Sequence, residues 1–147
     1  MVRMGINIHP VMAVSDKDTR PYSAEEKQQL DTFLAQSKPD TILVMNDFEW
    51  TKRFAVLLPD TQVLFRLYNK DVEGELWNAL SPQEYFTGMK IYQHPRIGLN
   101  IGNEPLGKDL PIDELKQMVA WYFEVMHLFG NAGISVSIPA WGTGNPD

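Results

Sequence analysis

The chain has 147 residues, 44% of them hydrophobic and 22% charged, proportions ordinary for one globular domain with a core of its own. A net charge of -6 without any basic run argues against a nucleic-acid surface, and the lack of cysteine excludes disulfides and thiolate metal sites. No apolar run reaches membrane-spanning length and "MVRMGINIHP" lacks the apolar core of a signal peptide, which leaves the cytoplasm, or export as part of a longer protein, both open.

The first β-like run is "MGINI" (4–8), almost wholly apolar and followed by His9 and Pro10. "SAEEKQQLDTFLAQ" then opens with Ser23 and, three residues later, Glu26, the pattern of a helix capping box. Its Leu30, Phe33 and Leu34 are expected to form one apolar face. A second strand, "DTILVM" (40–45), leaves through Asn46 and Asp47. Residues 48–58 read as a shorter helix with Asp47 as cap and Trp50, Phe54, Leu57 and Leu58 on one side. "QVLFRLY" (62–68) is a third strand, with Arg66 inside it and Asn69 just beyond. The long connection that follows carries Trp77, a residue able to line a cleft or to anchor packing.

"SPQEYFTGMKIYQ" combines Ser81, Pro82 and Glu84: a cap, a first-turn proline and a capping glutamate. Tyr85, Met89 and Tyr92 continue at helical spacing. The fourth strand, "RIGLNIG" (96–102), runs directly into Asn103-Glu104-Pro105. The last helix, "PIDELKQMVAWYFEVMHLFGNAG", has apolar residues at 112, 115, 119, 122, 126 and 129, acids in its first turn and Gly130 at its end. "GISVSI" (133–138) is the fifth strand, and Trp141 follows it.

Strand and helix therefore alternate, and the strands are nearly continuous apolar runs, the mark of a parallel sheet covered on both faces. A doubly wound nucleotide fold expects a glycine-rich loop after the first strand, and "HPVMAVSDKD" has no glycine. Polar and aromatic groups instead collect after the carboxyl ends of the strands: His9, Asn46, Asn69, Asn103, Glu104 and Trp141. In a (β/α)8 barrel those ends share one mouth, where active sites lie. The expected fold is α/β of the (β/α)8 TIM-barrel type, an N-terminal partial barrel of about five parallel strands in sequential order and four helices.

A fourth strand ending in Asn103-Glu104-Pro105 resembles the clan of retaining glycoside hydrolases built on (β/α)8 barrels, which includes cellulases, mannanases, xylanases and galactanases. The resemblance implies that Glu104 is the general acid/base and that Asn103 hydrogen-bonds the 2-hydroxyl of the sugar at the cleavage point. The residue types suit the chemistry. A glycosidic oxygen leaves poorly until protonated, so an acid must be held within hydrogen-bond reach. Pro105 fixes its own φ and biases Glu104 toward extended geometry. His9, Asn46, Asn69, Trp77 and Trp141 are candidate sugar contacts, and Arg66 is a candidate to orient a carboxylate near the mouth. The three histidines lack metal-ligand spacing, so neither metal nor cofactor is expected.

The clan's nucleophile is a second carboxylate at the end of strand 7, and nothing in this chain corresponds to that strand. Eight units at this spacing need about 250 residues. Residues 1–147 are thus expected to be one partial barrel domain, the first part of a longer catalytic domain. The alternatives are a non-catalytic partial barrel that binds glycan or is structural, and an open-sheet α/β binding domain. The expected partner is a carbohydrate rather than nucleic acid or membrane, with self-association or a companion segment closing the barrel.

Overall fold

Each strand and helix forms for a reason that can be read locally, beginning with three parallel strands near the N-terminus. The structure, a computed structural model, describes residues 5–9, 12–13, 19–67, 76–101 and 110–137. The chain divides into two units, Met1–Arg66 and Leu67–Asp147. It is an α/β protein in which strands β1 (Gly5–Ile8), β4 (Thr41–Met45) and β5 (Gln62–Arg66) of the first unit, and β6 (Ile97–Asn100) and β7 (Val136–Ser137) of the second, pair in parallel. A short antiparallel pair, β2 (Met12–Ala13) and β3 (Thr19–Arg20), lies between β1 and the first helix and was not expected.

In the first unit the strands run in the order β1-β4-β5, with Ile8 beside Val44 and Val44 beside Phe65. Those three side chains are buried, as are Ile42 and Val63 one row below. The alternate row, Asn7, Leu43 and Leu64, points to the other face, where Asn7 is exposed and the two leucines are half-buried. Helices α1 (Ala24–Ser37) and α2 (Phe48–Leu57) contribute Leu34 and Phe54 to the core, and Phe48 meets Phe65 edge-on.

Helix α1 starts with the expected capping box: Ser23 Oγ accepts from the Glu26 amide and the Glu26 carboxylate accepts from the Ser23 amide. Its buried face differs from the expected one. Phe33 is 54% exposed, whereas Asp31 is only 5% exposed. The cause is a partner: Trp50 Nε1 of α2 donates to Asp31 Oδ1 at 3.1 Å, and Arg53 Nη2 lies 2.6 Å from Oδ2. A buried carboxylate survives because it is both hydrogen-bonded and paired.

In the second unit, α3 (Leu76–Ala79), α4 (Pro82–Met89) with a 3-10 turn (Lys90–Tyr92), and α5 (Ile112–Asn131) accompany β6 and β7. Ser81 and Glu84 form the second expected capping box, with Pro82 in the first turn. Tyr85 and Phe86 both meet Phe129 of α5 edge-to-face, Tyr85 also meets Trp121, and Trp121 Nε1 donates to the Leu80 carbonyl at 2.6 Å. The buried stripe of α5 is Met118, Trp121, Tyr122, Val125 and Phe129, rotated from the expected 112-115-119-122 series; Ile112, in the first turn, stays 64% exposed.

The helix also runs past Gly130. Gly133, at φ +69, is the left-handed residue; its amide donates to Gly130 O and the Ile134 amide to Phe129 O. This is a Schellman ending with buried Ile134 as its apolar clasp.

Candidate functional site

The parallel register within the first unit aligns the carboxyl ends of its three strands. Met45 pairs with Arg66, and Ile8 pairs with Val44, so His9 and Asn46 each stand one residue beyond a paired row. This end of the sheet therefore brings together three of the residues singled out in the sequence: His9, exposed after β1; Asn46, exposed after β4; and Arg66, the last residue of β5.

Asn46 takes a left-handed backbone at φ 60 and donates its amide to the Arg66 carbonyl at 3.0 Å. Asparagine tolerates that conformation better than most residues, and the turn carries its side chain out of the strand at the tip. Arg66 is only 6% exposed, and its Nη2 lies 3.7 Å from Met45 Sδ. A guanidinium held at the end of a strand is a fixed, permanently charged donor.

Asp47, the neighbouring acid, is committed elsewhere. Its Oδ1 accepts from the Trp50 amide at 2.8 Å, capping α2, and its Oδ2 accepts from Lys27 Nζ at 2.6 Å. Burial pushes the carboxyl up, but the Lys27 ammonium and the Trp50 amide outweigh it and hold it below the ordinary aspartate value. Lys27 also lies over the Trp50 ring, 4.6 Å from its centroid. An ionised acid fastened in this way serves the α1–α2 contact and is not free to attack a substrate.

In the second unit, Trp77 is half-buried on α3. At the carboxyl ends of β6 and β7, Asn100 Nδ2 donates to Ser137 Oγ at 2.9 Å. Sequence reasoning missed this pair. Its signal was present: Asn100 interrupts an otherwise apolar strand, and Ser135 and Ser137 recur with period two. Asn69, Asn103, Glu104 and Trp141 lie outside the described residues. Among the described residues no helix is long and apolar enough to cross a membrane. No protein-family model, curated protein or solved structure matches the chain.

Proposed function

We propose that this chain is part of a retaining glycoside hydrolase, hydrolysing O-glycosidic bonds of an oligo- or polysaccharide, with Glu104 as general acid/base. The observation that carries the reading is the chain order of parallel strands. β6 is the fourth of them, after β1, β4 and β5, and Asn103-Glu104-Pro105 follows three residues after its last residue, Asn100. Parallel β/α units that follow one another in this way suit a (β/α)8 barrel, whose reactive groups stand beyond the carboxyl ends of its strands.

In this reading Glu104 gives its proton to the glycosidic oxygen as the bond to the anomeric carbon breaks. A second carboxylate, about 5–5.5 Å from it, attacks that carbon to form a glycosyl-enzyme; Glu104 then takes a proton from the water that releases the sugar. Asn103 holds the 2-hydroxyl through a contact that strengthens toward the transition state. Arg66 orients the carboxylates, and His9, Asn46, Asn69, Trp77 and Trp141 contact sugar. In this reading the second carboxylate lies beyond the five parallel strands described, since Asp47 is tied to Lys27.

Leaving-group dependence tests the assignment. In the catalytically complete protein, Glu104→Gln should lose about 10²–10⁴-fold on alkyl or sugar leaving groups. Nitrophenyl glycosides, which need little protonation, should lose far less in the glycosylation step. Equal small losses on both would remove Glu104 from the acid role. The 147-residue chain by itself should release no product with retained configuration. Retention by that chain, read by proton NMR of the first-formed anomer, would refute the placement of the nucleophile.

A further inference from the structure

We draw no further inference here: the strongest candidate, the open polar groove between α1 and α2 lined by Gln28, Asp31, Thr32 and Arg53, carries nothing because its buried acid, Asp31, is already held by Trp50 and Arg53 and nothing in the structure shows what would occupy the groove.

Discussion

Asp31 shows how much one buried side chain decides. Truncating it to alanine removes the acceptor of the Trp50 indole N–H and the partner of Arg53 at once. A buried donor left without a partner costs about 1–3 kcal/mol, so Asp31→Ala should lower the urea midpoint by a corresponding amount. Asp31→Asn keeps an acceptor for the indole and gives up only the pairing with Arg53, which is mostly exposed; about 1 kcal/mol or less is expected. The sequence could not reveal this residue, because Asp31 lies between apolar helix positions and looks like a solvent-facing acid. Only the placement of Trp50, 19 positions later, makes its burial tolerable. His9 and Asn46 were easier to place: each stands just beyond an apolar run, and the parallel register puts them at the same end of the sheet as Arg66, which the sequence places inside its strand. That gathering follows from strand direction alone, which is why it was visible without contacts.

At the scale of single elements, two glycines should respond in opposite directions. Gly88→Ala relieves a helix glycine that has open space around it and should stabilise by about 0.5–1 kcal/mol. Gly133→Ala forces a Cβ into the left-handed turn that ends α5 and should destabilise by about 1–2 kcal/mol. Thermal unfolding of both variants would check the pair, and the same sign for both would contradict the cap geometry. The contrast explains why Gly130 was misread as the end of the last helix. Both Gly130 and Gly133 are plausible stops in sequence, and the choice falls to Gly133 because Ile134 can then bury itself beside Phe129. The two capping boxes and the Asp47 cap were legible because they depend only on residues three apart. The helix faces were less so: Phe33 lost its place to Asp31, and the stripe of α5 turned toward Tyr85 and Phe86 of another helix. Helix α3 has only four residues, too short for any period to show.

At the scale of the whole molecule, three acids among the described residues sit below their ordinary values. Glu26 is held down to about 2 by the Arg20 guanidinium and the Ser23 cap, Glu84 is lowered by Ser81, and Asp47 is lowered by Lys27 and the Trp50 amide against its burial. An unfolded chain takes up protons on such groups near pH 4, before the folded one does. The stability they contribute is therefore complete above that range and is lost as pH falls through the folded values. Lys27→Met should destabilise the protein at pH 7 and flatten its acid limb, so that the difference from wild type shrinks at pH 3 in urea unfolding. A constant difference at both pH values would mean that Lys27 acts through its contact with Trp50 rather than through charge.

The parallel pairing also sets an order in time. β4 meets β5 across the short α2, with Thr41 beside Gln62, whereas β1 must bring Gly5 to Thr41 across β2, β3 and α1. The shorter closure loses less chain entropy, and α2 touches both of its strands, so β4-α2-β5 is the expected nucleus and β1 the late arrival. Ile8→Val should then speed unfolding and leave the refolding rate nearly unchanged, while Phe54→Leu should slow refolding. Until β1 docks, the apolar strand "TILVM" presents a bare edge to any other chain in solution. Refolding yield should fall as protein concentration rises, and Ile42→Lys in β4 should not cure this without abolishing the fold, because the side chain that makes the edge adhesive is the one that later fills the core.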